Sequence, residues 1–324
     1  MISSCRRAFS ILDAAVLAAC VATAACLLVT AGARVRALSG LGRSTSNLKL
    51  STDAVAGYAD DNADLAPGYT WRKGDMSSSY SDLRNPATDV DAAAYQAVDI
   101  IRRRSNVPGF AKITSWVPHV SYLHLPLADY FNAPLPLPCV VSPEDRNLLK
   151  WSSDASKWQQ NGAPNSRAPF RSSYEWSVGM WSLTNSGSGA VHQDGQSYAT
   201  FTIPTATVVG QRQLSTIAYP SHKAVVWEAF QRFFGPREAF FMYDEARIPV
   251  ATADGSVHLR AGRNSNSGWK PQNPSSSLWS SVTYDASSAG DPPALSGVSS
   301  TLRGRFRWTR QMMNGRDFDA GEIN

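Results

Sequence analysis

The chain has 324 residues, 43% of them hydrophobic and 18% charged, which excludes both a wholly disordered chain and a coiled-coil rod and leaves room for one large or two modest globular units. Lys and Arg number 31 against 26 Asp and Glu, a formal net charge of +5, and this mild excess is spread along the chain instead of forming the concentrated basic face of a nucleic-acid binder. Three of the four cysteines, Cys5, Cys20 and Cys26, lie near the N-terminus and only Cys139 stands apart, so an internal disulfide framework is excluded and no paired metal spacing exists.

The first element runs from Phe9 to Ala33, 25 residues carrying one charge, Asp13. As a helix it would be roughly 38 Å long against about 30 Å of bilayer hydrocarbon, enough to span. Arg6 and Arg7 precede it and Arg34 and Arg36 follow it, so flanking charge alone leaves the orientation close to a tie. Three readings are open. A secretory signal would be cut at Ala31-Gly32-Ala33, with a twin-arginine variant conceivable; a plain anchor would stay; the third is a more specific leader.

The third reading rests on Arg6-Arg7-Ala8, then Phe9, an apolar run, and an acid, Asp13, at the fifth position after the junction. This arrangement resembles the class III leader of type IV pilins and pseudopilins. Ala8 stands where the family usually has glycine, and Asp13 where it usually has glutamate. The resemblance implies a cytoplasmic cut before Phe9 by a prepilin peptidase and methylation of the new Phe9 amine. It also implies that Asp13 pairs with the free amine of a neighbouring subunit during assembly. An ionised carboxylate at the centre of a membrane helix costs about 2.5–3.5 kcal/mol on insertion scales, so such a residue usually has a partner. The alternative is that Asp13, near the start of the span, reaches the headgroup region.

Val35, Leu38, Leu41, Leu48 and Val55, with Thr45 and Thr52 as weak members, predict one apolar stripe on a helix from Arg34 to about Tyr58. Gly40 and Gly42 are expected to bend or loosen it. Ser46 to Leu50, Tyr58 to Asn62 and Leu65 to Tyr69 again resemble pilin-like proteins of the planctomycete type. There, a long helix is half membrane anchor and half spine of a globular head.

Beyond Pro67-Gly68 the sequence turns to Trp, Tyr, Ser, Pro and Asn with short apolar runs, as in a β-rich head with long loops. One helix stands out. Thr88 is its cap, Asp91 the capping-box acid, Val90, Ala94, Ala97, Val98 and Ile101 its apolar face, and Arg102-Arg103-Arg104 its last turn, where cations suit the dipole. Cys139 to Asp145 and Ser173 to Trp176 resemble the Cys-Pro-acid element and the following strand of pilin-like heads. Ala224 to Phe230 reads as a buried strand, although Gly235-Pro236 would also stop a helix. Pro249–Ala253 and Ser256–Arg260 read as a hairpin about a two-residue Asp254-Gly255 turn. From Gly262 to Leu302 the Ser- and Pro-rich composition predicts a long loop. Arg303 to Arg310 alternates arginines with aromatics, a pattern open to single-stranded nucleic acid but expected here to be an antiparallel strand with an arginine-bearing outer face.

No catalytic constellation emerges. His119, His124, His192, His222 and His258 are scattered and expected to be satisfied or at the surface, without a zinc-protease spacing. Gly187-Ser188-Gly189 lacks a nucleophile elbow, and no phosphate loop is present. Calcium is conceivable at Asp60-Asp61-Asn62 with Asp64, or at Glu144-Asp145, although neither has an EF-hand spacing. Ten tryptophans, among them Trp151, Trp158, Trp176 and Trp181, raise a second class, a carbohydrate binder, which three coplanar exposed indoles would mark.

The expectation is an α+β chain: a leader at 1–8, a long helix at 9–62 with its membrane-spanning part at 9–33, a pilin-like head at 63–262, and a Ser/Pro-rich loop and C-terminal strand of that head at 263–324. The resemblance implies a structural, non-enzymatic subunit of a type IV pilus-like or type II secretion pseudopilus-like filament, without a cofactor. Its partners would be the prepilin peptidase, sister subunits, the assembly or secretion machinery and the lipid bilayer. Nucleic acid is not expected. It would cross the cytoplasmic membrane once, with its N-terminus in the cytoplasm and its head in the periplasm. A secreted or anchored periplasmic binding protein is the alternative.

Overall fold

A computed structural model describes residues 11–193, 197–204, 209–286, 290–295 and 300–318. The fold begins with α1 (Ile11–Asp61), 51 residues of unbroken helix. No proline interrupts it, and Ala and Leu dominate its first half, both strong helix formers. It stops where Ala63 and Asp64 take left-handed conformations and Asp64 N–H bonds Ala59 O at 2.9 Å. Gly40 does not break the helix. A Cβ there would stand 2.8 Å from the Phe233 ring, so the glycine lets that ring close on the helix.

The expected stripe is half right. Leu48, Thr52 and Val55 are buried, but Val35 and Leu38 are exposed, because the helix first becomes buried against the head at Gly40. The buried face is instead Ser44, Leu48, Ser51, Val55 and Tyr58, at helical three-and-four spacing. Two of its members are serines, which a search for apolar residues passes over.

The helix lies on a four-stranded antiparallel sheet ordered β1 (Tyr174–Trp176), β2 (Ala224–Glu228), β5 (Arg247–Thr252), β6 (Val257–Ala261). The molecule is thus α+β. β2 is wholly buried, as expected for Ala224 to Phe230, and β3 (Phe230–Gln231) follows it to pair with β4 (Ala239–Phe240). Cross-strand register sets Tyr174 opposite Glu228 and Glu175 opposite Trp227. Successive strand residues face opposite sides. Tyr174 and Glu228 meet α1, while Glu175 and Trp227 meet Arg307 and Phe306 on the far side.

β5 and β6 form the expected hairpin, but its loop has three residues, not two, since Ala251 pairs with Val257 and Thr252 N–H bonds Ser256 O at 2.9 Å. Gly255 occupies φ +80° at the last loop position, the left-handed site of a three-residue hairpin. Asp254 accepts hydrogen bonds from Thr252 Oγ1 at 2.7 Å and from Ser256 N at 3.0 Å. Burial works to raise its pKa, yet these bonds outweigh it and hold the carboxyl below its ordinary value.

α2 (Asp89–Arg104) follows its sequence signals: Thr88 caps it, accepting from Asp91 N at 3.0 Å. Its terminal arginines do more than face a dipole, since Arg102 grips the Asp82 carboxylate with two bonds of 2.8 and 2.9 Å. Two short helices, α3 (His119–Tyr122) and α4 (Arg146–Ser152), complete this part of the head.

The C-terminal region corrects two expectations. Within the supposed loop, β7 (Ser281–Tyr284) pairs antiparallel with β8 (Ser300–Arg303). The following Arg305–Trp308 is one 3-10 turn, not an outward-facing strand, and both Arg305 and Arg307 are buried. Arg307 goes inward because Glu175 waits there: its Nε lies 3.2 Å from Glu175 Oε2, Nη2 bonds the same oxygen, and Nη1 donates to Tyr198 O at 2.7 Å. Its guanidinium also sits 5.4 to 5.5 Å from the ring centres of Phe201, Phe240 and Phe241. Lys223 and Asp317 form a second buried pair at 3.0 Å that ties the chain end to the start of β2. The core is continuous from Leu48 of α1 to Phe318.

Candidate functional site

The most unusual feature is the first half of α1. Every described side chain from Ala14 to Val29 is exposed, with Leu28 at 73% and Val29 at 72%. Soluble proteins scatter single apolar side chains on their surfaces but do not expose an unbroken apolar rod. The rod is long and apolar enough to cross a membrane. Asp13 stands in its first turn, and no other ionisable side chain except the thiols of Cys20 and Cys26 interrupts it before Arg34. The expected processing residues Arg6, Arg7, Ala8 and Phe9 lie outside the described residues. Asp254 and Gly255 sit at the β5–β6 tip, a structural place where a Cβ on Gly255 would come 3.5 Å from Lys49 Nζ of α1.

The second half of the helix is held differently. Ser44 Oγ donates to Glu228 Oε2 at 2.8 Å and lies 3.1 Å from Tyr174 OH. Asn47 Nδ2 donates to Tyr174 OH and to Val141 O, each at 3.2 Å. The other Glu228 oxygen takes Arg232 Nη1 at 3.2 Å, and Arg232 Nη2 reaches Asp145 Oδ2 at 2.9 Å. Glu228 is 0% exposed, and burial pushes its pKa up against the pull of Arg232 and the hydroxyls. A buried, directional network of this kind fixes one rotation and one axial position of a helix on a sheet, which apolar contact alone specifies less sharply. Where the helix leaves the head, Arg36 Nε lies 3.3 Å from Glu144 Oε1 in an exposed ion pair, worth no more than about 1 kcal/mol.

The acidic clusters considered for calcium have other occupations. Asp61 accepts from Tyr130 OH at 3.0 Å, Asp64 from Ser215 N at 2.8 Å, and Asp145 caps α4 through Leu148 N at 3.1 Å. Among the described residues no three His, Cys, Asp or Glu side chains gather as metal ligands. Trp151, Trp176 and Trp181 are buried and Trp158 half-buried, so these four indoles form no exposed platform.

His119 and His124 depart from expectation. Both are buried, and neither ring nitrogen of His119 has a hydrogen-bond partner among the described residues. His119 stacks on Trp181 with centroids 4.6 Å apart and meets Tyr69 edge-on at 5.0 Å. Burial pushes both histidines down to about 3.

The network around Glu228 was beyond sequence reasoning, since Ser44 and Glu228 are 184 residues apart. The only local signal was Ser44, Asn47 and Ser51 recurring at helical spacing. Comparisons with family models, curated proteins and solved structures gave no match to this chain.

Proposed function

We propose that the chain is a pilin-like structural subunit, held in a membrane by the first half of α1 and assembled through that same half into a filament, with no reaction of its own. The observation that carries this reading is the division of one continuous helix: bare and apolar from Ala14 to Val29, locked to a β-sheet head from Gly40 onward. A rigid rod fused to a head transmits position from membrane or filament core to surface, and a flexible tether would not. The leader resemblance supplies the remainder: cleavage before Phe9 by a prepilin peptidase, methylation of Phe9, pairing of Asp13 with a neighbour's amine, and a head in the periplasm or beyond.

Mass spectrometry of the mature N-terminus tests the proposal. A methylated Phe9 start is the expected result, whereas a start at Arg34 identifies a cleaved secretory signal and defeats it. Asp13→Ala should reduce incorporation into filaments at least tenfold while leaving membrane insertion intact; unaltered incorporation removes the pairing role.

A further inference from the structure

The face of the sheet opposite α1 opens into a cleft of about 410 Å³, within the usual size of ligand pockets, about 300–1,000 Å³. Residues from distant segments converge on it: Trp116, Trp151 and Phe201 as aromatic wall, and Arg167, Arg171, Glu175 and Arg307 as charged groups. Its charges divide unequally. Arg307 is matched by Glu175, and Arg171 Nη1 by Asp291 Oδ1 at 3.1 Å. Arg167 has no carboxylate partner among the described residues. Its guanidinium lies 5.4 Å from the Trp116 ring centre, an aromatic seat for a planar cation.

We propose that this cleft binds a carboxylate-bearing sugar unit of an acidic polysaccharide, with Arg167 taking the carboxylate. A guanidinium fork matches a carboxylate in two parallel hydrogen bonds, a geometry that a lysine could not supply. The surplus of a single positive charge selects a singly charged group; a phosphate dianion would also face the Glu175 carboxylate. The rest of the lining suits a hydroxylated ring. Asn165 and Thr200 offer neutral polar groups, and Glu175 Oε1, which takes no part in the contacts to Arg307, is an acceptor for sugar hydroxyls. Of the aromatic lining residues Trp116 and Trp151 are buried and Phe201 is half-buried, so Phe201 offers the apolar contact to the C–H face of the ring.

Position strengthens the assignment. Glu175 points away from α1 because its strand neighbours Tyr174 and Trp176 point toward the helix side, so the cleft and the spine lie on opposite faces of the sheet. Packing of the helix against membrane or sister helices leaves the cleft uncovered. The binding itself does not depend on the filament reading.

Isothermal titration calorimetry on the full chain in detergent micelles tests the proposal, with trigalacturonate as probe and its methyl ester and a neutral maltotriose as comparisons. Saturable binding of trigalacturonate is expected, weakened at least tenfold by esterification and absent for maltotriose. Arg167→Gln, which keeps a polar stem over Trp116, should weaken it at least tenfold, and Arg103→Gln on α2 should leave it unchanged. Circular dichroism melting checks that each variant is folded; if Arg167→Gln is not, Asn165→Ala serves in its place, with an expected weakening of at least threefold. The assignment is overturned by absence of saturable binding, by equal affinity for acid and ester, or by acetate competing as strongly as trigalacturonate. None of these outcomes touches the state of the N-terminus, so failure here is distinguishable from failure of the filament reading.

Discussion

His119 is a polar ring in an apolar stack, and its two unpartnered nitrogens give it a stability cost that Phe would not have. A buried unsatisfied polar group costs about 1–3 kcal/mol. His119→Phe preserves the flat ring against Trp181 and should raise stability at pH 7 by about that amount. The pH dependence has a definite sign. The folded pKa is about 3, against about 6.5 in an unfolded chain. As pH falls through 6.5 the unfolded state takes up a proton that the folded state refuses, so stability is lost on acidification at up to about 1.4 kcal/mol per pH unit. Urea unfolding of both proteins at pH 7 and pH 5 should therefore show the advantage of His119→Phe widening by about 2 kcal/mol. His124 acts in the same direction in both proteins and cancels from the difference. A constant gap would mean that His119 is not buried neutral. Composition gave no warning of this residue, because a lone histidine in a Pro-rich stretch carries no sign of the Trp181 and Tyr69 rings that enclose it. The arginines of 303–310 misled for a related reason: alternation with aromatics reads as an outer face only if no buried carboxylate is available, and Glu175 lies 132 residues away.

Local elements were the legible part of the fold. α1 and α2 declare themselves by composition, capping and periodicity, and the β5–β6 hairpin by its Asp-Gly turn, since all of these signals lie within a few residues. The pairing of β7 with β8 was not legible, because its strands are separated by a polar stretch that resembles a linker. Least legible was the seating of α1, which depends on one serine, Ser44, meeting Glu228 of β2. Removal of one hydroxyl tests how far that seating rests on the network. Ser44→Ala removes the hydroxyl that donates to Glu228 Oε2 and leaves Tyr174 OH with Asn47 Nδ2 alone in a dry site, a loss of about 1–3 kcal/mol. Ser51 is also fully buried, but its hydroxyl bonds Asn47 O of its own helix at 3.0 Å. Ser51→Ala should accordingly cost less than about 1 kcal/mol. Hydrogen exchange adds spatial resolution: amides of residues 41–58 should exchange faster in Ser44→Ala, with those of β5 and β6 little changed. Equal effects of the two substitutions would mean that apolar packing alone seats the helix.

At the scale of the whole chain, the balance between rod and head decides where the protein resides. Val16, Leu17, Val21, Leu27, Leu28 and Val29 are each more than half exposed, between 56% and 73%. Complete burial of such side chains is worth about 1.5–3 kcal/mol apiece, so these six together favour transfer into hydrocarbon by roughly 10 kcal/mol. The Asp13 carboxylate opposes insertion by about 2.5–3.5 kcal/mol even if it lay at the membrane centre. These magnitudes favour insertion, and the head offers little against it, since most of its apolar residues are enclosed in a core that runs from Leu48 to Phe318 and those left exposed, such as Met76, Leu259 and Leu278, are few. A chain beginning at Val35 keeps every helix residue that touches that core. It should be monomeric in water, retain the far-ultraviolet and near-ultraviolet dichroism of the head, and float free of lipid vesicles, whereas the full chain should sediment with them or require detergent. Val35 and Leu38 remain exposed in the shortened chain, at 67% and 55%, and two such side chains are too few to hold a head of this size on a bilayer. Retention of the shortened chain on vesicles would place the membrane contact in the head and detach the rod from its assigned role.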